Sequence, residues 1–457
     1  MPSADTLFAS SHKVFAHYFS PFPLSIGNVA AAQDYYNTEY LNPHGESNKW
    51  EAQGGYLRQR PLPVNPSSAA TFREVNMEAE VRLAIARGIT GFTFDVMGAT
   101  DVTDSNGVLS TMLQAAANVD SRFKIVAMPD MTVLGANADA VVQIITAVAK
   151  SPAAERLSDG SLVVSAFDAG LESPAFWEGV LSRLTAAGIK TAFVPTFLGW
   201  NNYATAFETF SYGFADWGTA TVSGSNYFLG APAMVRSDFS KIFMMPVDPQ
   251  QYRPKDFLFW EASNSGAFRA AWTSAIQGAS NWVQLVTWND FSESSEMQPY
   301  TDGTLNRRIG TGFYDLNGYY AAWFLTGQQP KITHDVLYYF YRREPTNASA
   351  SAQSQIDAVR SSVASDQIEV LAFLTAPGVV KIEINGQTYT QDAPAGLSSF
   401  TVALQPGTPV FTLSRSGTDV FSFAGDVEIY GESGLPSATM DLTYWSGSAA
   451  ATGLCSL

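Results

Sequence analysis

Between residues 13 and 288 the chain repeats one unit eight times, a short apolar run followed in most cases by helical periodicity. The runs are 13–19 (KVFAHYF), 89–96 (ITGFTFDV), 123–129 (FKIVAMP), 161–167 (SLVVSAF), 189–197 (IKTAFVPTF), 210–215 (FSYGFA), 241–247 (KIFMMPV) and 282–288 (WVQLVTW). In the first helical stretch Met77, Val81, Ala84 and Ile85 share one face, Glu78, Glu80, Arg82 and Arg87 fall on others, and Gly88 ends it. Further helices are expected near 107–118, 137–150, 173–187 and 263–279. Strands that alternate with helices build parallel βαβ units. Eight units favour closure into a (β/α)₈ TIM barrel, placed at residues 1–330. The open doubly wound alternative lacks its Gly-rich phosphate fingerprint here.

Several runs end in an acid: Asp95, Asp130, Asp168, Asp216, Asp248 and Asp290. In a barrel these ends converge on one face, where barrel enzymes keep their chemistry. The eighth run is the most loaded, since Asp290 and Glu293 follow it within three positions and Glu296 lies just beyond. Cleavage of a glycosidic bond needs two carboxyl groups, one to protonate the leaving oxygen and one to activate water or attack the sugar. Asp290 and Glu293 are therefore the candidate pair. Asn289 is placed to orient a hydroxyl or a carboxylate, and Trp288 to wall the cleft and limit water. The plainer reading of D-x-x-E after a strand is a helix start that gathers acids at its positive end.

Composition limits the partners. The chain is 46% apolar and 15% charged, enough to bury a large core. A net charge of −16 argues against nucleic acid and anionic membrane surfaces and suits a neutral polymer, although solubility alone explains it too. Aromatics reach 13%, more than a core needs if some stack on sugar rings. The single cysteine, Cys455, precludes an intramolecular disulfide. The N-terminus lacks a basic n-region followed by an apolar h-region, and no apolar run is long enough to span a membrane. The compartment is open on these grounds, with a polymeric substrate favouring the extracellular side. One sequon, Asn347-Ala348-Ser349, is present. Zinc-type Cys/His spacing, a P-loop and a G-x-S-x-G elbow are absent, so a mechanism without metal or cofactor is expected.

Two stretches fall outside the repeat. Residues 20–75 form a long Pro-, Asn-, Gly- and Tyr-rich segment, the kind of loop that usually serves function. After about 330 the texture becomes β-like. Residues 336–342 alternate only loosely, 345–354 look like a linker, and short runs follow at 367–374, 379–384, 387–389, 398–404, 408–414, 420–423 and 426–430. Asn385-Gly386 between two of them is a strong hairpin signal. Residues 331–457 are read as an antiparallel β-sandwich, with the tail from 431 left open apart from an apolar patch at 442–445.

Thr287-Trp288-Asn289-Asp290-Phe291-Ser292-Glu293-Ser294 resembles the T-W-N-D-[YFW]-[GS]-E-S signature of glycoside hydrolase family 71, the α-1,3-glucanases or mutanases. Val14-Phe15-Ala16-His17-Tyr18-Phe19 is similar to the family's opening V-F-A-H-[FY]-[FM]. The segment from Glu80 to Phe94 and the strand ending Pro129-Asp130-Met131 also fit, so the resemblance runs through most of 13–300 in order. It implies a barrel plus a β-domain, endo-hydrolysis of α-1,3-linked glucan with inversion, Glu293 as general acid and Asp290 as general base or its partner. A further family acid falls on Asp95 or Asp101. The sequence departs from the pattern at Ser292, at Ser295-Glu296 where the family often has His-Tyr, and in the length of 20–75.

Asp130, Asp168, Asp216 and Asp248 are read evenly as sugar ligands or as loop and helix caps, with Asp130 favoured by the resemblance. His17 is a rim residue within reach of ligand. Trp200, Trp217, Trp260 and Tyr203 are stacking candidates, and His44 and Trp50 candidates for a subsite wall. The expected partner is a polysaccharide and the expected state a monomer. Two other functions compete: another barrel glycosidase such as an endo-α-mannosidase-like enzyme, whose relatives carry W-N-E-W-x-E-G at this place, and a carbohydrate-binding protein without turnover.

Overall fold

The computed structural model describes residues 1–457 apart from 303–306, 352, 354–356, 361–362, 433–434, 436–438, 451–452 and 455–457. The sequon is thus described and Cys455 lies outside the described residues.

The eight apolar runs form parallel strands: β1 (Lys13–Tyr18), β2 (Gly91–Val96), β3 (Lys124–Pro129), β4 (Leu162–Val164), a fifth strand in two pieces, β5 (Thr191–Phe193) and β6 (Thr196–Phe197), then β7 (Gly213–Asp216) and β8 (Ile242–Val247). A short hairpin, β9 (Gln251–Arg253) and β10 (Leu258–Trp260), precedes the last barrel strand, β11 (Trp282–Leu285). The sheet order is β5-β4-β3-β2-β1-β11-β8-β7-β6. Because β5 and β6 are consecutive in the chain, its two ends meet. Val194 N donates to Val164 O (2.8 Å) on one side and Ala215 N to Pro195 O (2.9 Å) on the other, which closes the barrel through the fifth strand.

Side-chain alternation decides what each strand buries. Phe15, Val126, Val163, Ala192, Val194, Ala215, Met244 and Trp282 fill the barrel interior. Val14, Ala16, Tyr18, Phe92 and Phe94 face outward onto the helices. Gly91 makes room for this interior, since a Cβ there would lie 3.0 Å from the Phe15 ring and 2.3 Å from Lys124 O. The helices stand close to where their periodicity puts them, at Phe72–Ala86, Val108–Val119, Ala138–Val148, Pro174–Ala186 and Gly266–Gln277. Glu80, read as part of a polar face, is fully buried with Met77, Val81 and Ala84.

A sixteen-residue helix, Thr311–Thr326, not evident in the sequence, completes the barrel wall and leads into the β-domain. Its five-stranded antiparallel sheet runs Gly396–Ala403, Gln367–Leu374, Val336–Arg342, Tyr444–Ala450, Gly453–Leu454. A four-stranded sheet, Gln387–Ala393, Gly378–Ile384, Val410–Arg415, Thr418–Ala424, packs on one face of it. The other face packs on the barrel through Val336, Tyr338, Phe340 and Phe373. Covered on both sides, Val336–Arg342 is buried along its whole length, which is why it does not alternate. The Asn385-Gly386 turn has both residues at positive φ (49° and 72°), as the hairpin signal requires. The run at 426–430 is no strand; it makes only an isolated bridge, Gly407 to Ile429. The open tail instead supplies an interior strand, Tyr444–Ala450.

Barrel and sandwich interlock. Arg342 forms a buried ion pair with Glu261 (3.0 Å) and lies over the Tyr444 ring at 4.1 Å. Glu369, on an inner sandwich strand, accepts from Ser265 N (2.8 Å) and pairs with Arg269 (3.1 Å), so it caps the Gly266–Gln277 helix.

Candidate active site

A cavity of about 330 Å³ opens at the C-terminal ends of the strands. His17 enters it from β1, Asp95 from β2, Asp130 from beyond β3, Phe167 from beyond β4, Trp217 from beyond β7, Arg253 and Lys255 from the β9–β10 hairpin, and Asp290, Ser292 and Glu293 from beyond β11. Tyr56 of the long 20–75 loop closes one side. Its ring partner Trp50 stacks on it at 4.8 Å, and Arg58 anchors the loop to the tail by donating to Met440 O.

The chain beyond β11 turns back on itself. Thr287 N donates to Ser295 O (2.8 Å) and Met297 N to Thr287 O (2.9 Å), so residues 287–297 form a closed loop. Within it both candidate carboxyls are tethered by one oxygen. Asp290 Oδ1 accepts from Ser292 N (2.9 Å), Ser292 Oγ (2.7 Å) and Glu293 N (3.2 Å). Glu293 Oε2 accepts from Gln251 Nε2 (2.6 Å) and Arg253 Nη2 (2.9 Å). Among the described residues these bonds leave Asp290 Oδ2 and Glu293 Oε1 for the cavity. Burial, then the charge of Glu293, pushes the Asp290 carboxyl up to about 7, against hydrogen bonds from Ser292 that pull it down.

The opposite wall is acidic and equally dry. Burial first, then the charges of Asp130, Asp290 and Asp101, holds the Asp95 carboxyl well above the usual range. His17 Nε2 lies 4.0 Å from Asp95 Oδ1, and burial lowers the imidazole to about 3, so the ring is neutral. His17 Nδ1 and Asp95 Oδ2 have no hydrogen-bond partner among the described residues. The Trp217 ring meets His17 edge-on at 4.8 Å and Phe167 at 4.7 Å, giving the cavity an aromatic side beside its acids. The arrangement can donate a proton from one carboxyl, engage water with another, and pack an apolar ring face. Among the described residues no cluster of three or more His, Cys, Asp or Glu is set to hold a metal ion.

A family model described as glycosyl hydrolase family 71 matches residues 67–456. The chain belongs to this family. Glucan endo-1,3-alpha-glucosidase agn1 of Schizosaccharomyces pombe is 26% identical over 370 residues, which cover 77% of this chain and 86% of that protein. The ascus wall endo-1,3-alpha-glucanase of the same yeast is 24% identical over 287 residues, covering 56% of this chain and 65% of that protein. Among solved structures, the GH99 endo-alpha-mannosidase from Bacteroides thetaiotaomicron superposes with a TM-score of 0.51 at 14% identity, over 69% of this chain and 97% of that one. That likeness concerns the fold.

Within this family 71 site the residues singled out from sequence divide. Asp290, Glu293, Asp95, Asp130 and His17 meet at the cavity, together with Trp217. Asp130 also caps a short helix by accepting from Thr132 N (2.9 Å). Asp101 does not line the cavity; it closes its own loop through Met97 N and Gly98 N, so Asp95 is the acid at the mouth. Asp168 sits in its βα loop, outside the lining. Asp216 is consumed by backbone, accepting from Gly199 N, Trp200 N and Gly218 N. Three further expectations are corrected. Trp288 does not wall the cleft but lies in the outer core, where its indole donates to Glu80 (3.2 Å). Asn289 does not reach the cavity; it clamps the loop after β1 through Phe19 N, Phe19 O and Phe22 O. Trp200 packs on Phe243 in the core. Glu296, just beyond the pair, is a buried loop residue whose carboxyl burial pushes well up.

Sequence reasoning missed Tyr56, Gln251, Arg253, Lys255 and the role of Glu80. Arg253 lies 40 residues before Glu293, on a hairpin too short to show a period. Glu80 carried a weak signal, as a carboxyl one step before Val81 on a helix that must pack on the barrel.

Proposed function

We propose that this family 71 hydrolase is an endo-acting α-1,3-glucanase that works with inversion through Asp290 and Glu293. The observation that carries the reading is the tethering of both carboxyls by one oxygen each, at an acid- and aromatic-lined cavity in the barrel mouth. The bond cleaved is inferred from the relatives, two of which are described as endo-1,3-α-glucan hydrolases. Inversion is carried over from the family resemblance.

The electrostatics favour a division of labour opposite to the one the resemblance suggested. Asp290, pushed up to about 7, keeps its proton in mildly acidic solution and gives it to the departing glycosidic oxygen. Glu293, ion-paired with Arg253, takes a proton from the water that bonds to the anomeric carbon as the C–O bond breaks. His17 and Asp95 then offer polar atoms to sugar hydroxyls, with Trp217 against a ring face.

The test is product analysis on insoluble α-1,3-glucan, with proton NMR of the first-formed anomer. Asp290→Asn and Glu293→Gln should each cut oligosaccharide release by about 10³-fold or more with the melting temperature kept, in line with the weight of a general acid or base. Normal release by either variant, or wild-type cleavage of α-mannan in preference to α-1,3-glucan, would sink the assignment.

A further inference from the structure

The hairpin β9–β10 has no place in the minimal barrel, yet all three residues of its first strand, β9, bond to Glu293. Tyr252 N donates to Glu293 O (2.7 Å), which fixes the backbone. Gln251 Nε2 and Arg253 Nη2 converge on the same carboxyl oxygen, Oε2, at 2.6 and 2.9 Å. Arg253 is itself held, since its guanidinium lies 5.0 Å over the Trp260 ring across the hairpin. The hairpin is braced from the β-domain. Ala358–Val359 adds a parallel strand to β10, and Tyr252 Oη donates to Asp357 Oδ2 (3.1 Å) and Met440 O (3.0 Å).

From this geometry we infer that Arg253 is a positioning residue for Glu293: it pins one carboxyl oxygen so that the other is presented to the reacting water, and the hairpin with its β-domain brace belongs to the catalytic apparatus. A carboxylate with two equivalent free oxygens would rotate between them. An arginine donor on one of them, immobilised by stacking, leaves a single orientation. Gln251 shares that oxygen but is neutral, so the ion-pair part of the hold belongs to Arg253. With the cavity open to Arg253, a small free guanidinium can reach the place its side chain vacates.

The inference rests on Glu293 being catalytic, and the experiment separates the two. Full-length Arg253→Ala, Arg253→Lys and Glu293→Gln are assayed on soluble α-1,3-linked gluco-oligosaccharides, with and without guanidinium at tens of millimolar. Arg253→Ala should lose kcat by about 10- to 100-fold, the worth of one charge-assisted hydrogen bond, with KM within about threefold. Guanidinium should restore at least part of that loss while leaving wild type and Glu293→Gln unchanged, and Arg253→Lys should fall between. A purely structural arginine would instead lower the melting temperature and raise KM, with no recovery by guanidinium. If Arg253→Ala does not fold, Arg253→Lys carries the test through its kcat-against-KM split. Near-normal kcat in the arginine variants with an inactive Glu293→Gln overturns the inference and leaves the proposed function standing. An active Glu293→Gln overturns both.

Discussion

Replacing Glu80 with Gln should make the protein more stable in alkaline solution and leave it nearly unchanged in acid. Glu80 is fully buried and accepts three hydrogen bonds: from Tyr18 Oη (3.0 Å), from the Trp288 indole (3.2 Å) and from Gln298 Nε2 (3.3 Å). Burial outweighs these donors and pushes the carboxyl from 4.5 up to about 8. The folded chain therefore holds a proton between those two pH values that the unfolded chain has lost. For a raised acid the sign is destabilising: stability falls as pH rises through this window, and the whole cost is in place above about 8. At about 1.4 kcal/mol for each tenfold change in proton affinity, the ceiling is ~5 kcal/mol, and a realised effect of a few kcal/mol is reasonable. Gln is the neutral isostere. Its oxygen can accept from Trp288 and Gln298, and its amide can donate to the Tyr18 hydroxyl, so little is lost at pH 5. In a chain of this size each kcal/mol is worth ~1 °C of melting temperature, from the average unfolding entropy per residue. Thermal melts at pH 5 and pH 9 should show Glu80→Gln within a degree or two of wild type at the lower pH and several degrees above it at the higher. Glu80→Ala should melt lower at both, having left three donors unpaired. A Gln variant more destabilised at pH 9 than at pH 5 would show that Glu80 is not a carboxyl kept protonated by burial.

The same sign governs activity. Asp290 loses its proton above about 7, so kcat/KM should fall roughly tenfold per pH unit beyond that point, and a profile flat to pH 9 would remove Asp290 as the donor. Trp217→Ala should raise KM about 2- to 10-fold with kcat little changed, as expected for losing an aromatic face worth ~0.5–1.5 kcal/mol; an effect on kcat alone would place the ring elsewhere in the reaction. Arg342→Met strands Glu261 in a buried site and should cost about 3–5 kcal/mol in chemical denaturation, with more than half recovered by adding Glu261→Gln.

Much of the fold could be read in advance because its signals are local. Each barrel strand is a compact apolar run, and Asn385-Gly386 needs only its own two φ angles to make a turn. Local pattern misleads where a residue answers to a distant partner. Glu80 looked exposed because helical periodicity scores its charge and not the three donors that converge on it. Trp288 and Asn289 stand in the signature beside Asp290, and adjacency suggested shared contact with substrate. In fact successive side chains diverge, Trp288 into the outer core and Asn289 onto the backbone at 19–22. The strand Tyr444–Ala450 was hidden by its small residues, which its neighbours demand: a Cβ on Gly447 would lie 2.6 Å from the Tyr339 hydroxyl. Arg253 left no trace at all, since nothing in QYRPKDFLFW tells which residue faces the barrel mouth.

The place of Tyr444–Ala450 has a consequence for how the molecule is made. This last long strand pairs directly with Val336–Arg342, the first strand of the sandwich, along seven residues. During synthesis the early strand must wait, with one hydrogen-bonding edge unsatisfied, until about a hundred more residues have left the ribosome. Over the same interval residues 440–442, which hold the loop that bears Tyr56 and brace the hairpin that bears Arg253, are also missing. A chain halted before 440 would thus have Asp290 and Glu293 in sequence and its barrel strands in order, yet carry an open β-edge and an unbraced site. Such an intermediate keeps an open β-edge, and the bonds from Arg58 and Tyr252 to Met440 O form only once this segment has been made.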